Sequence, residues 1–442
     1  MRIATVGLWH LGSVYATGLA ELGHDVLALD PDPRRIADYR AGRPPVAEPG
    51  LAELIATMVD AGRLQFSADL EDLAAGPFDC VWITADTPVD DSDQADTGAV
   101  LDLIAQCLRH LPAGTVLAYS SQLPLGCGDR IAAAAELVHP GIGVRLVCSP
   151  ENLRLGTALT AFRQPQRVVI GSDDPHAAQV VADALSGCGA QQLVMSRRSA
   201  ELSKHALNGF LALSVAYANE LARLADATGA DAGDVHRALA SDPRIGPRAY
   251  LRPGGPIAGG TLARDVNYLQ HLAAAGAVAM PITAAVLPSN DAHKRWAVEQ
   301  AIAAGRPGAA VAVVGLAYKA GTDTLRRSYG VEVLDALGAA GMGVLAGDSR
   351  VSALPERLAG VDLRHPAAID PAAVGVIVLC ADDPALGELW RRVCDHPDPP
   401  VVVDAVGALE LAGLDRPQRI RVLAPGRVAS AALPAVDPHP GR

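Results

Sequence analysis

Residues 2–12, RIATVGLWHLG, decide how the rest of the chain is read. RIATVGL is a short apolar run of the kind that forms a buried strand. Leu11, Tyr15, Leu19 and Leu22 then recur at helical spacing until Gly23 stops the helix, and DVLALD (25–30) is a second strand. Strand, glycine turn, helix, strand opens a doubly wound sheet, and VGLWHLG (6–12) has the outline of its dinucleotide-binding turn. Gly7 suits the tight turn and Gly12 the close packing of helix on sheet. Trp9 stands where the middle glycine would let backbone approach a pyrophosphate. Asp30 ends the second strand, eighteen residues after Gly12, where a carboxylate can hold ribose hydroxyls, and Arg35 follows one turn later. Alone, this broken motif fits an ordinary strand–turn–helix as well as a cofactor loop.

The rest of the chain extends the pattern. CVWIT (80–84), TVLAYS (115–120), VRLVC (144–148) and RVVIG (167–171) read as strands, with helix-like stretches between most of them. Such alternation means a parallel sheet with helices on both faces. From about residue 196 the pattern is one long helix, SAELSKHALNGFLALSVAYANELARLADATG, and helical character continues to about 300. Strands then return in VAVVGLAYK (311–319) and MGVLAGD (342–348), around the helical GVEVLDALGAAG. This echo of the amino terminus predicts an α/β chain with two Rossmann-like units of parallel sheet around a helical middle. The expected domains are 1–195, 196–302 and 303–424, followed from 425 by an Ala/Pro-rich disordered tail.

Composition narrows the partners. A length of 442 residues implies two or three domains. With 50% hydrophobic but only 4% aromatic residues, Ala, Val and Leu must fill the cores, which suits helices on parallel sheets. The net charge of −12 argues against nucleic acid or an anionic membrane, though not against an anionic small molecule. Seven scattered cysteines form no C-x-x-C pair, so neither a zinc site nor a redox motif is read. Their odd number and apolar settings fit reduced thiols in a cytoplasm. Residues 3–20 imitate a signal peptide, but Glu21 and His24 follow without a small-residue cleavage site. No apolar run reaches membrane-spanning length.

Four further segments carry chemistry. In CSPENLRLGTALTAFRQPQRVVIG (148–171), Glu151 follows a strand end and a proline; it is an exposed acid at the ligand-binding edge of the sheet, or a helix cap. In AELSKHALNGFLALSVAYANE (200–220), Lys204 and Asn208 share a helix face, and are either solvated or lining a site. Glu201, Asn219 and Glu220 read as solvated helix surface. RIGPRAYLRPGGPIAGGTLARD (244–265) combines glycine-rich backbone with Arg244, Arg248, Arg252 and Arg264, an expected anion site. GLAYKAGTDTLRRS (315–328) carries Lys319, Asp323 and Arg326 at a second strand-end loop.

In this order the segments resemble the UDP-glucose/GDP-mannose dehydrogenase family over roughly residues 1 to 410. EPGL (48–51), TP (87–88), LPLG (123–126), QPQRVVIG (164–171), YLRPGG (250–255) and GLAYKAGTD (315–323) add to the likeness. The resemblance implies NAD-dependent oxidation of the primary alcohol of a nucleotide sugar, usually twice to the uronic acid. It also implies a homodimer paired through the long helix; with the cytoplasm and the absence of a metal site read from the cysteines, the expected protein is a metal-free cytoplasmic dimer. By it, Glu151 is the general acid/base, Lys204 and Asn208 hold the sugar hydroxyl and the developing oxyanion, and Asp265 tunes the water and the lysine. Asn152, Leu153, Tyr250, Leu251, Gly254, Tyr318 and Lys319 would bind the nucleotide sugar. Gly7, Trp9, Gly12, Asp30, Arg35, Thr87, Ser121 and Arg326 would bind NAD.

Four positions depart from the family pattern. The nucleophilic cysteine falls at Thr261, the acid of an E-G pair at Leu155, and a proton-relay threonine at Gln122. A late arginine after aspartate is missing from VVVDAVGAL (401–409), where Ala405 and Val406 stand. A thiolate traps the aldehyde as a thiohemiacetal from which the second hydride leaves; a threonine hydroxyl is far less acidic. The expected reaction therefore stops at the aldehyde or its hydrate. One alternative is full four-electron oxidation through that hydrate. The other is a catalytically silent binder of NAD or nucleotide sugar, disfavoured because Glu151, Lys204, Asn208 and Asp265 together form a proton-transfer set.

Overall fold

The structure, a computed structural model, describes residues 1–46, 48–88, 96–258, 260–318 and 322–427. Lys319, expected to bind substrate, and residues 428–442 of the expected tail lie outside the described residues. The chain forms two compact units, Met1–Ala206 and Leu207–Arg442.

The first unit runs β1 (Arg2–Val6), α1 (His10–Glu21), β2 (Asp25–Leu29), α2 (Pro33–Arg40), α3 (Leu51–Asp60), β3 (Leu64–Ser67), β4 (Cys80–Ile83), α4 (Thr97–Leu108) and β5 (Val116–Tyr119). It continues with α5 (Cys127–Val138), β6 (Arg145–Cys148), α6 (Ala158–Arg163), β7 (Arg167–Gly171), α7 (Pro175–Ala184) and β8 (Gln191–Met195). The eight strands lie in the order β3-β2-β1-β4-β5-β6-β7-β8. Neighbours are parallel except β6 and β7, which pair antiparallel. Alternate residues face opposite layers, and both layers are apolar. Ile3, Cys80 and Trp82 pack with α1 and α3 on one side, while Ala4, Val6, Val81 and Ile83 pack with α4 and α5 on the other. Continuous apolar strands follow from burial on both faces. The chain reverses its progress across the sheet between β1 and β4, so the loops after these strands open the crevice where such folds bind ligands.

A helix of 32 residues, α8 (Arg197–Thr228), leads from the first unit into the second. There follow α9 (Ala232–Ser241), α10 (Thr261–Ala275), α11 (Pro281–Ala304), β9 (Ala310–Val314), α12 (Tyr329–Ala339), β10 (Val344–Gly347) and β11 (Asp362–Arg364). The unit ends with β12 (Val374–Leu379), α13 (Leu386–Asp395), β13 (Val401–Asp404), α14 (Ala408–Leu411) and β14 (Val422–Leu423). Its six-stranded parallel sheet has the order β11-β10-β9-β12-β13-β14, with the same reversal between its first and fourth strands. The echo read in the sequence is thus a structural repeat, down to one detail. Asp30 accepts the Leu8 N–H at 2.8 Å, and Asp348, at the equivalent strand end, accepts Leu316 N–H at 2.7 Å. Residues 425–427, at the head of the expected tail, are packed: Gly426 N–H donates to Asp226 at 2.9 Å, and Arg427 pairs with Asp231 and Glu410. Among the described residues no helix is long and apolar enough to cross a membrane.

Candidate functional site

The first unit holds a cavity of about 570 Å³ at its crevice, lined by Gly7, Leu8, Trp9, Asp30, Asp32, Arg35 and the Ala85–Pro88 loop. Gly7 has φ +95°, and a Cβ there would stand 2.6 Å from Ala85 Cα; a Cβ on Gly12 would stand 1.7 Å from the Gly7 carbonyl oxygen. Both glycines are therefore required for the turn to close against β4 and for α1 to seat on it. Asp30 is buried. Its Oδ2 accepts Leu8 N–H and Arg35 Nη1, each at 2.8 Å, and its Oδ1 accepts Asp32 N–H at 3.0 Å. A carboxylate has roughly four acceptor sites, so Oδ1 keeps capacity for a ribose hydroxyl. Trp9 does not fill the turn. It is 45% exposed, and its ring lies under the Arg35 guanidinium, 5.2 Å from centroid to Cζ. Thr87 lines the same cavity and donates to Gln122 O at 2.8 Å, while Ser121 is buried and donates to Ala85 O at 2.5 Å. These bonds tie the loops after β4 and β5 together. Of the residues expected to bind NAD, Gly7, Trp9, Asp30, Arg35 and Thr87 line this one cavity.

One cavity residue was not expected. Asp86 Oδ2 accepts Leu11 N–H, in the first turn of α1, at 3.1 Å. Burial raises its pKa, against the hydrogen bond from Leu11 and the nearby His10 charge, which lower it.

Beside the cavity, the irregular segment after β6 presents Glu151, Asn152 and Leu153. No helix begins there, so Glu151 is not a helix cap. Glu151 accepts Leu153 N–H, and Lys204 on α8 donates to the Glu151 carbonyl oxygen. Lys204 Nζ also reaches Asn152 Oδ1 at 3.3 Å and Glu151 Oε1 at 3.9 Å. Both side chains are mostly buried but open to solvent, 14% for Lys204 and 18% for Glu151. A cation held against a partly exposed carboxylate suits proton exchange beside a developing negative charge. Glu201 corrects the sequence reading. It is buried, accepts Tyr119 Oη at 2.6 Å, and caps α5 through Gly126 N–H and Gly128 N–H at 2.7 and 2.8 Å. The unpaired N-terminal amides of α5 made a carboxylate from elsewhere necessary.

In the second unit, Asn208 of α8 donates to Asp265 Oδ2, and both are buried, with Arg264 Nε 3.7 Å from Asp265 Oδ1. Thr261 opens α10 and is exposed. The preceding loop is pinned from behind. Gly254 N–H donates to Asn219 Oδ1 at 3.1 Å, His293 Nε2–H donates to Gly254 O at 2.6 Å, and Ile257 N–H donates to Asn290 Oδ1 at 2.7 Å. Gly254 has φ +155°, and a Cβ there would stand 3.1 Å from Val406 O. Asn219 is thus buried structure rather than solvated surface, whereas Glu220 is exposed as read. The signal was available: Asn219 follows Asn208 by eleven residues, about three turns, and so shares its face. Asn290 and His293 gave none.

The loop arginines do not form the expected open cluster. Arg244 pairs with Asp242 at 2.7 Å and Arg252 with Glu410 at 3.4 Å, and Arg264 is buried beside Asp265. Of the four, Arg252 does line a basic cavity of about 300 Å³, with Arg237, Arg416 and Arg427. Tyr250 and Tyr318 are exposed at 38% and 39%, and Leu251 is half-buried. Asp323 and Arg326 lie on the exposed strand-end loop of this unit.

Comparison with known proteins matches three models of one family in order. Residues 1–185 match the UDP-glucose/GDP-mannose dehydrogenase family NAD binding domain, 198–292 its central domain, and 312–410 its UDP binding domain. A UDP-glucose 6-dehydrogenase of Rhizobium meliloti is 33% identical over 79% of this chain and 81% of its own length. One of Pseudomonas aeruginosa is 33% identical over 84% and 82%. The solved structure of a UDP-glucose dehydrogenase from Pyrobaculum islandicum superposes with a TM-score of 0.83 at 31% identity, covering 97% of this chain and 98% of that one. With its glycine turn, its strand-end aspartate and its paired Rossmann-like units, the chain belongs to the UDP-glucose/GDP-mannose dehydrogenase family.

Proposed function

We propose that this NAD-dependent nucleotide-sugar dehydrogenase oxidises the primary alcohol of its substrate once and releases the aldehyde or its hydrate. Bound NAD supplies the hydride acceptor. Residues 1–195 hold the cofactor and 303–424 the nucleotide; since the relatives are named for UDP-glucose and the third matched model is a UDP binding domain, UDP-sugars come first as substrates. Glu151 takes the hydroxyl proton, Lys204 and Asn208 stabilise the oxygen as charge develops, and Asp265 orients Asn208. Asn152, Leu153, Tyr250, Leu251, Gly254, Tyr318 and Lys319 position the sugar nucleotide.

The state of the thiols carries the one-step reading. All seven cysteines lie outside 244–265. Burial pushes Cys80 and Cys107 up to about 12 and raises Cys127, Cys148, Cys188, Cys380 and Cys394 as well. Each is therefore held as a neutral thiol, and Thr261 offers a hydroxyl where covalent trapping of the aldehyde would need a thiolate. Seven free thiols also support a reducing compartment, the cytoplasm.

Product analysis on a panel of UDP-sugars tests the reading. One NADH per sugar, an aldehyde trapped by carbonyl reagents and an unmodified enzyme mass are expected; Thr261→Ala retains most of this turnover. Two NADH per sugar with a carboxylate product would overturn it in favour of the hydrate route, and no NADH from any sugar would favour a silent binder.

A further inference from the structure

In this fold the first N–H groups of α1 are the donors offered to a dinucleotide's pyrophosphate. Here a carboxylate of the protein already holds that position. Asp86 follows Ala85, which leaves no room for a Cβ on Gly7, so its reach to the start of α1 is built into the turn. It accepts Leu11 N–H at 3.1 Å. It lines the same cavity as Gly7, Asp30 and Arg35. The N-cap residue is Trp9, which has no side-chain group capping the helix. Asp86 supplies from another loop the negative charge that a helix N-terminus favours. A pyrophosphate entering this cavity meets like charge on its own donors.

We propose that Asp86 is an intramolecular competitor for the pyrophosphate of NAD: it holds the N-terminus of α1 until the cofactor displaces it. NAD is then bound more weakly, and released more readily, than by the same cavity without the carboxylate. As a helix cap alone, Asp86 would affect stability and leave cofactor affinity unmoved.

Calorimetric titration of the full-length protein and its Asp86→Asn and Asp86→Ala variants separates the two roles. NAD and ADP-ribose, which carry the pyrophosphate, should bind about tenfold tighter to the variants. Adenosine, which lacks it, should bind all three alike. Both variants should melt lower than wild type without ligand and show a larger rise in melting temperature with NAD. Unchanged or weaker NAD binding by cooperatively melting variants would overturn the proposal, as would equal tightening of adenosine. A crystal structure of the wild-type NAD complex tests it without any substitution: Leu11 N–H should donate to a phosphate oxygen, and Asp86 still bonded to Leu11 beside bound NAD would refute displacement. The proposal rests on the cofactor cavity and not on the number of hydrides transferred. Tighter NAD binding by the variants, with no NADH from any UDP-sugar, would sink the proposed oxidation and leave this competition standing.

Discussion

Asp30 and Arg35 form an ion pair in the cavity where we propose that the adenosine ribose of NAD binds. Arg35 pairs with Asp30 at 2.8 Å while its guanidinium stacks on Trp9. In that role the carboxylate would accept a ribose hydroxyl and repel a 2′-phosphate, so wild-type protein should prefer NAD over NADP. Asp30→Ala removes the repulsion and releases the guanidinium at the same time. Its NAD affinity should fall by about tenfold, the effect of losing one charge-assisted hydrogen bond, while NADP affinity rises. Titration with both cofactors decides it: a wild-type preference for NADP, or an alanine variant with unchanged selectivity, would remove Asp30 from this role.

Among the elements, α8 has faces with different uses. Glu201 and Lys204 serve the first unit, Asn208 and Asn219 the second, and each points inward. Phe210, Tyr217 and Leu224 are exposed at 64%, 49% and 59%, and recur every seven residues, hence along one stripe of the helix. Large apolar side chains in such a stripe support pairing of two copies through α8, the homodimer that the family resemblance implies. Replacing Phe210 and Tyr217 together by Asp should raise the dimer dissociation constant by roughly two orders of magnitude or more. Sedimentation velocity should then find monomer at micromolar concentration; an unchanged sedimentation coefficient would mean that the stripe serves another contact. The same exposure explains why the sequence could mark α8 as a helix but not divide its polar residues. Helical period places Glu201 and Asn219 on faces, and only the packing partners decide which faces are buried.

For the molecule as a whole, the second unit carries a pH limit in His293. Burial excludes water from the charged ring and lowers its pKa to about 4, and its Nδ1 has no partner among the described residues. The unfolded chain, with an ordinary value near 6.5, takes up the proton first. Stability from this group is therefore complete above about pH 6.5 and is lost as pH falls through about 4, by on the order of 3 kcal/mol. His293→Gln keeps an N–H for Gly254 O and cannot be protonated. Thermal melts between pH 7.5 and 4 should show the variant losing less stability than wild type over that window, and equal losses would exclude His293 as the cause. Local chemistry made β1, β2, β4 to β7, β9 and β10, the glycine turn, Asp30 and the long helix legible, because apolar runs, positive-φ turns and helical period are properties of neighbouring residues. The short edge strands β3, β8, β11 and β14 escaped, since they bury too little to need an apolar run; β12 and β13 escaped as well, although both are buried throughout. Only tertiary structure decided that Arg252 is spent on Glu410, that Glu201 caps α5, and that Asp86 occupies the start of α1. Each of these depends on which distant carboxylate lies within hydrogen-bond reach, and that distance is set by the packing of elements rather than by the order of residues along the chain.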